Sequence, residues 1–125
     1  MSSIQRFGVE PRYSQAVVHG GVVYLSGQVG LSCGTFQQQC EEAFACVDQQ
    51  LEAAGSHKSR LLSLQIFLRN PEQYAAMNAV YDAWLPSGSG AGSDSAPARN
   101  TICGVQFPNP LWQIEVVAIA ALNAS

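Results

Sequence analysis

Two charged residues of this 125-residue chain sit where charge is unusual. Arg99 follows Pro97-Ala98 and a Gly/Ser-rich stretch, at the start of a β-favouring run. Glu115 lies between Ile114 and Val116-Val117, in a run that stays apolar to Ala121. A guanidinium at a strand end can project into a cleft, and its planar fork suits a carboxylate held by two parallel hydrogen bonds. A carboxylate among apolar neighbours is costly to bury unless it is paired or hydrogen-bonded. In a cleft it can orient a water or exchange a proton with a substrate. Each residue also has a plainer reading, Arg99 as a surface arginine and Glu115 as a solvent-facing residue of an edge strand. Alternation along the strand puts Glu115 on the face shared with Val117 and Ile119.

Tyr13 and Ser26 are the polar handles of an N-terminal segment that runs from Arg12-Tyr13-Ser14-Gln15 to Ser26-Gly27-Gln28. Their hydroxyls can be satisfied within a sheet, the common fate, or can meet a ligand. Gly27 ends a strand and lets the backbone approach a ligand closely. Ser26 lacks a neighbouring His and Asp arrangement, which argues against a nucleophile. His19 and His57 fall in turns and read as solvated. Cys103 reads as a small core residue. Cys33, Cys40, Cys46 and Cys103 form no C-x-x-C pair and have no His at ligand spacing, so no metal site is expected. Reduced thiols, with no signal-like N-terminus and no apolar run near ~20 residues, point to a cytoplasmic protein without a membrane partner.

The elements that must position these groups are legible. Residues from about Ile4 to Gly8 suit a short first strand. Runs 14–19 and 21–26 suit a hairpin, because Gly20-Gly21 supplies positive φ at the junction. Phe36, Cys40, Ala43, Phe44, Val47, Leu51 and Ala54 recur at spacings of three and four, which predicts a helix. Thr35 and Gln38 form its capping box and Gly55 its C′ residue, with Gln39, Glu42, Gln49 and Glu52 on the solvent side. Leu61 to Leu68 is a strongly apolar strand. Asn70-Pro71-Glu72-Gln73 starts a second helix with Tyr74, Met77, Tyr81 and Trp84 on one stripe, and Pro86 closes it. Residues 87–96 are of low complexity and read as a mobile loop. Two strands follow, roughly Arg99–Val105 and Trp112–Leu122, with Pro108 and Pro110 in the turn between them. The order β-β-β-α-β-α-β-β predicts a single α+β domain over 1–125, with both helices on one face of one sheet.

Charged residues make up 12% of the chain, against about 25% in average soluble domains, while apolar residues reach 47%. So few charges leave apolar surface that is best buried against further copies of the chain, the alternative being a monomer with a Ser/Gln/Gly-rich surface. The net charge of −3 and the scattered Lys and Arg argue against a nucleic-acid partner.

The segments Tyr13-Ser14-Gln15-Ala16-Val17, Ser26-Gly27-Gln28, Leu51-Glu52-Ala53-Ala54-Gly55, Ala76-Met77-Asn78, Pro97-Ala98-Arg99 and Ile114-Glu115-Val116 resemble, in this order and spacing, the Rid family of imine deaminases (YjgF-like, or endoribonuclease L-PSP-like, proteins). The resemblance runs from about Arg12 to Ala121. It implies a chorismate-mutase-like fold, a single mixed sheet with two helices on one face. It further implies a homotrimer with sheets facing inward and clefts between subunits. It implies hydrolysis of small 2-imino acids, such as 2-iminopropionate, to 2-keto acids and ammonia without metal or organic cofactor. Carried over residue by residue, Arg99 holds the substrate carboxylate and Glu115 positions the water. Tyr13, Ser26, Gly27 and Thr101 line the pocket. This chain differs from many relatives in having Arg12 before the tyrosine, Thr101 where cysteine is common, and a longer loop before Arg99. A non-catalytic binder of small carboxylates is the alternative. Endoribonuclease or translation-inhibitor activity, attached to some relatives, fits the acidic charge balance less well.

Overall fold

A computed structural model describes residues 3–85 and 96–123. Six strands form one mixed sheet in the order β1-β2-β3-β6-β4-β5. They are β1 (Gln5–Val9), β2 (Ser14–His19), β3 (Val22–Leu25), β4 (Leu61–Leu68), β5 (Ala98–Cys103) and β6 (Ile114–Ala121). The β4–β5 pair is parallel and the other pairs are antiparallel. The helices are α1 (Phe36–Ala53) and α2 (Tyr74–Trp84). The closing role expected of Pro86 and the loop expected over 87–96 lie outside the described residues, apart from Ala96.

Both helices cover one face of the sheet. Cys40, Ala43, Phe44, Val47 and Leu51 of α1, with Met77 of α2, meet Ala16, Val18, Val23, Leu25, Leu64, Ile66, Leu68, Val116 and Ala118, all buried. Burying a large apolar side chain contributes about 1.5–3 kcal/mol, so this seam supplies most of the drive to fold. The α1 ends are closed as the sequence predicts. Thr35 Oγ1 accepts from Gln38 N–H at 3.2 Å and Gln38 Oε1 accepts from Thr35 N–H at 2.9 Å. Gly55, at φ +89°, turns the chain so that Ser56 N–H reaches Leu51 O at 2.8 Å and Gly55 N–H reaches Glu52 O at 3.2 Å, a Schellman closure.

Two readings of the sequence need correction. Gln39, assigned to the solvent side of the first helix, is 2% exposed. Its amide donates to Gly34 O (3.1 Å) and Leu111 O (3.0 Å), and its Oε1 accepts from Gln113 N–H (2.9 Å). The segment 104–113 folds back over the start of α1 and needs a polar partner there. Cys103, read as core, is exposed, because β5 is an edge strand and its last residue extends past the helix cover.

The same return segment delivers β6. Arg69 at the end of β4 donates to Trp112 O (2.8 Å) and Asn109 O (3.1 Å), so one guanidinium and one buried amide fix the approach to Ile114. Replacing Gln39 by Ala leaves three backbone groups without partners. Denaturant titration should show a loss of about 1–3 kcal/mol; a Gln39→Ala variant with the parent midpoint would refute the role given to this amide.

Candidate active site

Glu115 is the second residue of β6, a central strand between β3 and β4, which removes the edge-strand reading. It pairs with Phe67 and shares with Val117 and Ile119 the face that no helix covers. Next to it the β3 chain is irregular. Tyr24 pairs with Ile119 and pairing resumes at Gln28 with Val116, four steps on one side against three on the other. The extra residue is a bulge that carries Ser26 and Gly27 across the Glu115 side chain. A Cβ on Gly27 would overlap the Glu115 carboxylate, so any other residue here would push that side chain aside.

The bulge is pinned by amides. Ser26 N–H donates to Gln15 O at 3.0 Å, and Ser26 Oγ donates to the same oxygen at 3.3 Å. The buried Gln28 donates through Nε2 to Ser26 O (3.0 Å) and to Gln15 Oε1 (3.3 Å). Beside it lies a cleft of about 590 Å³ lined by Tyr13, Gln15, Ser26, Gly27, Trp112 and Glu115, among others. Burial pushes the Glu115 carboxyl above its ordinary value, with no counter-charge among the described residues to offset the cost. A carboxyl whose pKa burial raises holds its proton more readily than a solvated one, which suits it to exchange a proton with a bound molecule.

Arg99 is elsewhere. In the parallel β4–β5 pair it lies opposite Leu64, and Thr101 lies opposite Ile66, so both are on the helix-covered side. Its Nη1 donates to Asn78 Oδ1 at 2.8 Å and its Nη2 to the Tyr74 hydroxyl at 3.3 Å. The guanidinium carbon is 4.7 Å from the Tyr81 ring centroid and 5.9 Å from that of Tyr74. Burial raises the Tyr81 hydroxyl pKa, and the positive charge of Arg99 works against that rise. The Thr101 hydroxyl is buried without a hydrogen-bond partner among the described residues.

Tyr13, Ser26, Gly27 and Glu115 thus share one cleft, whereas Arg99 and Thr101 sit on the opposite face of the same sheet. Sequence reasoning missed Gln15, Gln28 and Trp112 in the cleft, and Asn78 beside Arg99. The spacing of Tyr74, Asn78 and Tyr81 is a helical signal that could have found the last of these. A second groove of about 490 Å³ between α1 and α2 is floored by Phe44 and Trp84 and is apolar except for Gln37 and Glu41. Among the described residues no cluster of His, Cys, Asp and Glu could hold a metal ion, and no helix is long and apolar enough to cross a membrane.

The sequence profile of the family described as Endoribonuclease L-PSP matches residues 3–122. The RutC family protein YoaB of Escherichia coli strain K12 is 35% identical over 123 residues, covering 96% of this chain and 99% of that protein. A Dermatophagoides farinae protein named 2-iminobutanoate/2-iminopropanoate deaminase is 31% identical over 115 residues, covering 86% of this chain and 84% of its own. Among solved structures, a YjgF-family protein from Neisseria meningitidis superposes with a TM-score of 0.89 at 34% identity and covers 98% of each chain.

The upward shift at Glu115 has a sign that can be checked. An acid whose pKa is raised by folding contributes stability that is fully present below its ordinary value of 4.5 and is lost as pH rises through the raised value. Glu115→Gln, neutral at every pH, should therefore raise the denaturation midpoint at pH 7.5 and match the parent near pH 4. A variant less stable than the parent at pH 7.5 would contradict the desolvation account.

Proposed function

The chain belongs to the endoribonuclease L-PSP family, with the YjgF/L-PSP fold, and from that premise and the geometry above we propose that it hydrolyses small 2-imino acids to 2-keto acids and ammonia. The observation that carries the reading is the Glu115 carboxylate, held against the Gly27 backbone in a cleft and shifted upward by burial. The relative named as an iminobutanoate and iminopropanoate deaminase supports the reaction class.

The chemistry is proton management. A 2-imino acid is most electrophilic when its nitrogen is protonated. Glu115 takes a proton from water as the oxygen attacks the imine carbon, giving a carbinolamine. The same carboxyl returns the proton to nitrogen and, again anionic, takes the hydroxyl proton as the C–N bond breaks; the carbonyl forms, ammonia leaves, and the proton passes from Glu115 to the ammonia as ammonium. The anionic form of Glu115 favours the cationic imine electrostatically. Arg99 holds the substrate carboxylate by charge-assisted hydrogen bonds, with Tyr13, Ser26, Gly27 and Thr101 lining the pocket. No cofactor enters these steps.

Because Arg99 and Glu115 are on opposite sides of one chain's sheet, the reading requires Arg99 from one copy to meet Glu115 from a neighbour. Apolar residues on the uncovered face, such as Tyr24 at 45% exposure, suit burial between copies, and a homotrimer is the assembly we propose. Four free cysteines fit a reducing, cytoplasmic setting. The net charge of −3 disfavours association with the RNA backbone.

Generating the imine with an amino-acid oxidase and timing its loss tests the reading. The protein should speed the decay. Arg99→Ala should lose about 1.5–3 kcal/mol of charged hydrogen bonding, roughly 10- to 150-fold in kcat/KM. Glu115→Gln should lose about 100-fold or more in kcat. Binding of 2-ketobutyrate without faster imine decay would replace the enzyme by a carboxylate-binding protein, and a fully active Arg99→Ala would remove Arg99 from the site.

A further inference from the structure

Arg99 is gripped from one side by a single helix. Tyr74, Asn78 and Tyr81 are at positions i, i+4 and i+7 of α2, so they share one helical face, and all three contact the guanidinium. A guanidinium has five N–H donors. Asn78 takes one on Nη1 and Tyr74 takes one on Nη2. Among the described residues nothing takes the other three, enough for a two-point grip on a carboxylate.

The three contacts share one property. Among the described residues, each group that touches Arg99 is neutral: an amide, a phenol and an aromatic ring. An aspartate at position 78 would bind the same nitrogen more strongly, but as an ion pair it would spend the charge that a ligand carboxylate needs. An alanine would leave the long side chain of an edge-strand residue free among its rotamers, at an entropic cost repaid on each binding event. Asparagine orients the fork and leaves its charge available.

The holder is itself rigid. Met77 is fully buried. Trp84 stacks on Phe44 with centroids 4.6 Å apart, and its Nε1 donates to Asp48 Oδ2 at 2.9 Å. Lys58 Nζ donates to Trp84 O at 2.7 Å, which satisfies a carbonyl at the C-terminal end of α2. A helix fixed at its last turn and along its buried stripe keeps the Asn78 oxygen at one position relative to β5.

We infer that Asn78 is a positioning residue for carboxylate recognition: its neutral amide fixes the plane of the Arg99 guanidinium without neutralising it. The inference rests on the proposed deaminase reading and deepens it by naming what sets the affinity of the anion subsite.

The test compares the parent, Asn78→Ala and Asn78→Asp by 2-ketobutyrate binding, by KM and kcat for imine hydrolysis, and by thermal midpoint. Asn78→Ala should weaken binding and raise KM about tenfold, the loss of one charge-assisted hydrogen bond. Asn78→Asp should weaken both further. The kcat of each should stay within about twofold, because water attack belongs to Glu115. A merely structural asparagine would lower the midpoint and scale kcat down with the folded fraction, leaving KM unchanged; that outcome overturns the inference. So does either variant binding 2-ketobutyrate as the parent does. A parent that neither binds 2-ketobutyrate nor hydrolyses the imine sinks the deaminase reading and this inference together, whereas an active parent with unaffected variants sinks this inference alone.

Discussion

Strand β4 decides where the chemistry can happen. It is paired on one side with β5, Leu64 opposite Arg99, and on the other with β6, Phe67 opposite Glu115. Residues 64 and 67 are an odd number apart, and side chains alternate across a pleated strand. Leu64 is fully buried under the helices and Phe67 is on the uncovered face. Directly paired residues point the same way, so the cation goes to the helix side and the carboxylate to the open side. Altering this would require slipping a whole ladder by one residue, which would turn every side chain of the slipped strand to the other face.

The open face carries the consequences. Among the described residues of β2, β3, β4 and β6 on that face, Glu115 has the only formal charge at neutral pH, set among Val17, Tyr24, Phe67, Val117 and Ile119. Such a surface is poorly suited to water and well suited to another copy of itself. Covering it would deepen the desolvation that already raises the Glu115 carboxyl, so the proposed assembly and the proposed acid–base role favour each other. The Gly27 bulge and the Gln15–Ser26–Gln28 amides hold the cleft wall beside that carboxylate whether or not a neighbour is present.

Much of this was legible in the residues, and the failures have physical reasons. The α1 cap, its Gly55 closure and the bounds of β4 follow from local propensity, which depends on a few neighbours in sequence. Alternation correctly put Glu115 with Val117 and Ile119, because parity within one strand is local as well. The edge reading of Glu115 failed because strand order is set by pairings tens of residues apart. Gln39 looked like a solvent residue because its partners, Leu111 and Gln113, are more than 70 positions away. Arg99 was singled out by its setting after Pro97-Ala98. Its attachment to Asn78 was hidden, since the second helix was read for its apolar stripe and the polar residue between Met77 and Tyr81 carried no apolar signal.

A cation and a carboxylate on opposite faces can act on one small molecule only if they come from different copies. Mixing purified Arg99→Ala and Glu115→Gln chains, each strongly impaired alone, and letting subunits exchange measures this directly. Sites that draw Arg99 from one chain and Glu115 from its neighbour should recover in about one quarter of random pairings within a closed ring, so imine hydrolysis should return to roughly a quarter of the parent rate. Exchanged mixtures no more active than the average of the two variants alone would contradict a site shared between subunits.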